Sequence, residues 1–122
     1  DDRPEFCTPQ QHPNADTFHP VPMADIPNHL RIDSRTCIVL TTRGVSVDVD
    51  GLPALLETPA AYIGIIGSRR RWAATVKTLK ARGYPVENLA RVHSPIGLEL
   101  HAETPEEIAV SIVSELVQER RR

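Results

Sequence analysis

The sequence has 122 residues, which is enough for one compact domain with a single hydrophobic core. With 40% hydrophobic residues, 25% charged residues and a formal net charge of -2, it has the composition of a soluble globular protein. Nothing in this balance indicates a general nucleic-acid or membrane-surface binder. No apolar run approaches the roughly 20 residues of a membrane helix and no signal peptide opens the chain, so we expect no stable membrane insertion and a cytoplasmic protein.

Residues 1–35 form a loop-rich opening segment. The stretch from Asp1 to Asn28 carries six prolines and no helical or alternating apolar period. We therefore predict irregular backbone there, with short extended pieces at most. The chain begins at Asp1 without an initiator methionine, and we expect it to be a piece of a longer polypeptide.

The first regular unit is predicted from Thr36 to Glu57. The apolar, β-branched run from Thr36 to Thr41 is typical of a parallel strand buried on both faces, and we expect Cys37 within it to be an inert core residue. Leucines at helical spacing predict a short helix over residues 48–57. Gly51 and Pro53 within that stretch indicate a late or irregular start.

The second unit is a strand over residues 61–67 that leads directly into a helix. Ser68 is a helix cap, and the apolar period after it continues to a stop at Gly83. A helical turn at residues 86–89 follows. Residues 91–98 then mix a few extended residues with a tight turn.

The last predicted element is a helix that starts with a capping box. Thr104 precedes Pro105, and Glu107 stands three residues after Thr104. Alternating buried strands and helices predict an α/β fold, a Rossmann-like doubly wound parallel sheet. Ligands of such sheets bind beyond the carboxyl ends of the strands.

The best candidate site is the junction Gly67-Ser68-Arg69-Arg70, between a strand and a helix. Unpaired backbone N–H groups at a helix start favour an anion, and the two arginines can clasp a phosphate. The alternative is a tight turn, an ordinary helix cap and solvated arginines. Three arginines in a first helical turn oppose the helix dipole, however, and require compensation from elsewhere.

Three further groups are weaker candidates. Asp1 and Asp2 would lie at the end of a preceding strand, where a dinucleotide-binding fold keeps an acid for ribose hydroxyls, although a solvated acidic terminus is the more common explanation of such residues. Thr42 and Arg43 follow the first strand and either donate to the same ligand or only form a turn. His93 in the loop His93-Ser-Pro-Ile-Gly97 suits ligand contact, although a single histidine is more often structural. No spacing of histidine, cysteine or carboxylate predicts a metal site.

Three blocks, YIGIIGSRRR, ARGYPVENLARVHSPIGLEL and AETPEEIAVSIVSELV, resemble the signature blocks of the XdhC/CoxI family. The opening DDRPEF and the TTRG after the first strand are similar to earlier blocks of the same family. The resemblance covers nearly the whole chain, and it implies that residues 1–122 are part of the family's C-terminal Rossmann-type domain. The positions that match the family's motifs, with Thr42 and Arg43 as further cofactor-binding candidates, include Asp2, Arg3, Gly67, Ser68, Arg69, Arg70, His93, Pro95 and Gly97.

The resemblance also implies a function. Proteins of this family bind molybdenum cofactor (molybdopterin), assist its sulfuration with a cysteine desulfurase, and deliver it to xanthine dehydrogenase-like or carbon monoxide dehydrogenase-like apoenzymes. We therefore expect a molybdenum hydroxylase apoenzyme as partner and a homodimer of the full-length protein. The alternative is an NAD(P)-dependent oxidoreductase that uses the same crevice, which fold analogy alone suggests.

Three departures from the family pattern limit the resemblance. The first strand with its glycine-rich loop is absent, and so is the N-terminal domain with its cysteine motif. His101 stands where the family more often has a small residue. Because the missing loop would carry phosphate contacts, we expect the 122 residues alone to bind ligand poorly.

Overall fold

The computed structural model describes all 122 residues. Three parallel strands form one sheet in the order β1-β2-β3. Four α-helices flank it, with a 3-10 turn before the first helix and another before β3. The elements are β1 Cys37–Leu40, β2 Tyr62–Ile65, β3 Val92–His93, α1 Ile26–His29, α2 Val45–Leu56, α3 Arg69–Ala81 and α4 Pro105–Arg120.

The two faces of the sheet are covered by different helices, as the predicted α/β, Rossmann-like fold requires. Ile63 and Ile65 of β2 lie in the main core together with Leu52 of α2 and Leu79 of α3. Tyr62 points to the opposite face, where it packs in a smaller cluster with residues of α4 and of the loop after β3, namely Ile112 and Ile96. The fold class predicted from the sequence is therefore confirmed.

The prediction for β1 was wrong in one respect, because this strand is not buried on both faces. Leu40 is buried, whereas Cys37 is exposed and Val39 is 38% exposed. Both lie on the face of Tyr62, where α4 packs over β2 and does not cover β1. Cys37 is therefore not a core residue.

Helix α2 starts three residues earlier than predicted and runs through both Gly51 and Pro53. Tertiary packing outweighs the local propensities, because Val49 and Leu52 are buried in the main core. Gly51 is required by a close approach, since a Cβ there would lie 2.5 Å from the Met23 side chain. The helix therefore serves as the surface on which the opening segment packs.

The opening segment is irregular as predicted up to Pro22, but the part after it is helical rather than extended. A 3-10 turn at Met23–Asp25 leads into the single turn of α1. Pro27 lies in the first turn of that helix, where a proline needs no N–H partner. The prolines therefore did not exclude helical turns here.

The remaining predictions for regular structure are confirmed. Ser68 caps α3, which ends just before Gly83. The capping box of α4 is complete, since Glu107 N donates to Thr104 Oγ1 over 3.1 Å and Thr104 N donates to Glu107 Oε1 over 2.9 Å. These local signals fix the starts of the two long helices on either side of the sheet.

Candidate functional site

The carboxyl ends of the three strands meet at one edge of the sheet. Backbone hydrogen bonds continue past the strands there, from Ile66 N to Leu40 O (2.9 Å) and from Ile96 N to Ile65 O (3.1 Å). The segments that leave this edge are residues 41–44, 66–68 and 94–97. The sequence motifs thus converge where parallel sheets bind ligands.

The start of α3 combines a capping serine, a glycine with a positive φ and two exposed arginines. Ser68 Oγ accepts a hydrogen bond from Arg71 N (3.1 Å), and Gly67 has a φ of 132°, a conformation that side chains disfavour. Arg69 and Arg70 are exposed and form no ion pair. Two guanidinium groups beside the unpaired N–H groups of a helix start create a strongly positive edge.

Arg71 differs from its two neighbours, because its side chain turns inward. Its Nη2 donates to Asp48 Oδ2 (2.9 Å), Thr42 Oγ1 (2.6 Å) and the Thr42 carbonyl (3.2 Å), and its Nε donates to Asp48 Oδ2 (3.2 Å). Thr42 Oγ1 also donates to Asp48 Oδ1. Asp48 is 1% exposed, so this carboxylate supplies buried compensation for one of the three arginines.

A cleft of about 520 Å³ opens beside β1 and the start of α2. It brings together Asp2, Arg3, Thr42 and Arg43, all of which are sequence candidates. Arg43 binds Asp2 through two parallel hydrogen bonds of 2.9 and 3.0 Å, and this pairing holds the pKa of Asp2 below its usual value. The apolar residues in the wall of the cleft are Val21, Pro22, Met23, Ala24, Ile26, Val39, Leu40 and Val47.

The loop after β3 makes its contacts with α4. His93 stacks on Tyr62 with ring centroids 4.6 Å apart, and its Nδ1 lies 3.5 Å from Glu115 Oε1. The same carboxylate oxygen accepts from the Tyr62 hydroxyl and from Gly97 N (3.3 Å). Burial, followed by the hydrogen bond to Glu115, raises the pKa of Tyr62 far above its usual value.

Gly97 is required by packing in this loop. It has a φ of 95°, and a Cβ on it would lie 2.5 Å from Ser111 Oγ. Pro95 is exposed. Gly97 and His93 therefore anchor the loop to α4, and neither residue lines the cleft beside β1.

No group of three or more histidine, cysteine or carboxylate side chains lies close enough together to hold a metal ion. No helix of the structure combines the length and apolar character needed to cross a bilayer.

The model of one protein family, the XdhC Rossmann domain, matches residues 1–116. The chain belongs to this family.

Relatives of this XdhC domain agree with the family match. The chain is 32% identical to a probable xanthine dehydrogenase subunit of Bacillus subtilis over 120 residues, which are 98% of this chain and 34% of the relative. It is 24% identical over 90 residues, 74% of the chain and 28% of the relative, to the molybdenum cofactor insertion chaperone PaoD of Escherichia coli. The chain spans about a third or less of the length of these relatives.

A solved structure has the same fold. A crystal structure of a xanthine dehydrogenase from Bacillus halodurans superposes with a TM-score of 0.81 at 35% sequence identity. The match covers 99% of this chain and 35% of that one.

The sequence candidates in this XdhC domain fall into two neighbouring groups and a separate third. Thr42 and Arg43 lie in the cleft, and Arg71 joins them to the start of α3 that carries Arg69 and Arg70. The loop around His93 lies under α4 instead. Sequence reasoning missed the inward role of Arg71 and the buried Asp48. The signal for both was the compensation that three arginines in one first turn require.

Proposed function

We propose that this chain is the cofactor-binding part of an accessory factor for a molybdenum enzyme, and that it binds molybdenum cofactor at the carboxyl edge of its sheet. The observation that carries this proposal is the pair of unpaired arginines, Arg69 and Arg70, at the start of α3. Membership of the XdhC family and the similarity to PaoD, a molybdenum cofactor insertion chaperone, support it.

The residues present fit a phosphorylated pterin. Its phosphate would be held by Ser68 and by the guanidinium groups of Arg69 and Arg70, which suit a dianion at a helix start. The adjoining cleft of about 520 Å³ lies within the roughly 300–1,000 Å³ of small-molecule sites. Its mixed polar and apolar wall offers contacts to a flat heterocycle, with the Arg43 N–H groups that Asp2 does not use as hydrogen-bond donors. The Thr42 hydroxyl already donates to Asp48, so Thr42 would contribute by holding the cleft wall in place.

The bound cofactor would supply its redox chemistry to another protein, and this chain's residues bind and shield it. We infer that the recipient is a xanthine dehydrogenase-like or carbon monoxide dehydrogenase-like apoenzyme and that a cysteine desulfurase takes part in sulfuration. The names of the two relatives support a molybdenum hydroxylase as partner. We further propose that residues 1–122 act as the C-terminal Rossmann-type part of a cytoplasmic homodimer.

The test is cofactor retention by a double variant, Arg69→Ala with Arg70→Ala, made in the full-length protein that contains these 122 residues. Retention of molybdenum cofactor is measured by ultrafiltration in phosphate-free buffer. Two charge-assisted hydrogen bonds are worth about 1.5–3 kcal/mol each, so the affinity should fall roughly 100-fold or more. The matched control is Arg120→Ala with Arg121→Ala, because these two arginines are exposed and unpaired at the far end of α4.

Two outcomes contradict the proposal. The first is unchanged retention by the α3 variant. The second is binding of NADH in place of the cofactor, detected as a rise in melting temperature with NADH alone, which would favour an NAD(P)-dependent oxidoreductase.

A further inference from the structure

The three consecutive arginines at the start of α3 have different roles. We propose that Arg71 is a positioning residue: it ties the segment 41–44 after β1 to the first turn of α3, and so fixes the two parts of the anion site relative to each other without touching the ligand. This inference rests on the proposed function, in which Arg69 and Arg70 bind the phosphate.

The hydrogen bonds of Arg71 bridge three segments of the chain. Its guanidinium contacts the Thr42 carbonyl and hydroxyl after β1 and the Asp48 carboxylate of α2, while its backbone belongs to α3. Thr42 and Asp48 also bind each other. Each member of this network therefore has two partners, and the network closes between the carboxyl ends of β1 and β2.

The Asp48 carboxylate pairs with Arg71 and leaves Arg69 and Arg70 without a counter-charge in this network. Asp48 is 1% exposed and Arg71 is 22% exposed, so the pair is largely withdrawn from water. Asp48 neutralises Arg71 at close range, and the excess positive charge at this edge therefore comes from Arg69 and Arg70. An arginine committed to a buried carboxylate does not rearrange readily toward a ligand.

The geometry of the network needs a guanidinium rather than a positive charge alone. Nε and Nη2 act at fixed angles, one on Asp48 and the other on both Asp48 and Thr42. A lysine ammonium is a point charge, and it can keep the ion pair with Asp48 while losing the planar fork. Arg71→Lys therefore keeps the charge and loosens the link to Thr42.

A matched control exists elsewhere in the chain. Arg91 donates to the carbonyls of Leu56 (2.9 Å) at the end of α2 and of Thr58 (3.2 Å) and Ala60 (2.6 Å) in the loop that precedes β2. Its guanidinium binds backbone carbonyls, as the Arg71 guanidinium does at Thr42. Arg91, however, lies at the amino end of the strands. Arg91→Lys thus makes the same chemical change away from the site.

The first measurement is the dissociation constant of molybdenum cofactor for the two lysine variants at several ionic strengths. We expect Arg71→Lys to raise the dissociation constant about tenfold, a usual size for residues coupled through one network, and Arg91→Lys to leave it unchanged. Arg71→Gln removes the charge, as Arg69→Gln does, but it should keep the ionic-strength dependence of the wild type because Arg71 does not touch the ligand. Arg69→Gln should reduce that dependence.

The second measurement needs no ligand. Amide hydrogen exchange of Asp48, whose N–H donates to the Gly44 carbonyl over 3.2 Å, should accelerate about tenfold in Arg71→Lys and remain as in the wild type in Arg91→Lys, since only the first loosens the segment after β1. If the full-length wild-type protein retains no cofactor, the proposed function fails, and this measurement still tests the positioning role.

The outcomes separate three roles for Arg71. Unchanged exchange at the Asp48 amide, or unchanged affinity with a lowered melting temperature, would show that Arg71 only supports the fold. A reduced ionic-strength dependence in Arg71→Gln, as in Arg69→Gln, would show that Arg71 contacts the ligand directly. Each of these results overturns the proposal.

Discussion

The buried pair of Asp48 and Arg71 leads to an asymmetric prediction for stability. Arg71→Met leaves the Asp48 carboxylate, 1% exposed, with the Thr42 hydroxyl as its remaining side-chain donor. Breaking a buried pair in this way costs about 3–5 kcal/mol of unfolding free energy. Asp48→Leu leaves a guanidinium that is 22% exposed and can reach water, so its cost should be about 1–2 kcal/mol.

The double variant carries neither charge and fills the site with apolar groups. Its cost should therefore be smaller than that of Arg71→Met alone. Urea unfolding measures all three values, followed by the fluorescence of Trp72, the sole tryptophan, and by circular dichroism as an independent probe. The reasoning is refuted if Asp48→Leu costs as much as Arg71→Met, or if the double variant costs the sum of the two.

Two further predictions concern the α4 side of the molecule. The pKa of Tyr62 is raised above the ordinary 10.0 by burial and by the hydrogen bond to Glu115, so its contribution to stability is present below pH 10 and is lost as the pH rises. The melting temperature of the wild type should therefore fall more steeply above pH 10 than that of Tyr62→Phe; parallel curves would contradict this. His101 has a φ of 55°, so His101→Gly should relieve strain and stabilise the chain by about 0.5–1 kcal/mol, whereas a lower melting temperature would count against it.

The elements that were predicted correctly carry their signals locally. Gly67 and Ser68 directly precede the first residue of α3, and the capping box of α4 spans only Thr104 to Glu107. Such signals depend on backbone N–H groups that any helix start must satisfy, so a short stretch of sequence reveals them.

The start of α2 and the exposure of β1 depend on distant residues. From the sequence alone Gly51 predicts a break in the helix, and the structure shows that Met23 packs against it instead. From the sequence alone Cys37 is predicted to be buried, and the structure shows that α4 packs over β2 and does not cover β1. In both cases the deciding contact is with a part of the chain far away in sequence. Local propensity is too weak to outweigh such packing.

The candidate site was predicted in outline but not in its pairing. The sequence indicates that three arginines in one helical turn need a counter-charge, yet Asp48 lies 23 residues before Arg71 and is flanked by valines. Which arginine turns inward depends on the angle at which α3 starts. That angle is a property of the packed sheet rather than of the motif.

The open position of β1 in the sheet affects how this chain behaves at high concentration. Its four residues, Cys37 to Leu40, include no charge and no proline, which are the features that natural edge strands use against unwanted pairing. The strand itself therefore carries no feature that opposes pairing with another strand on its outer side. Val39→Lys would place a charge on this edge strand and make the isolated chain less prone to aggregate.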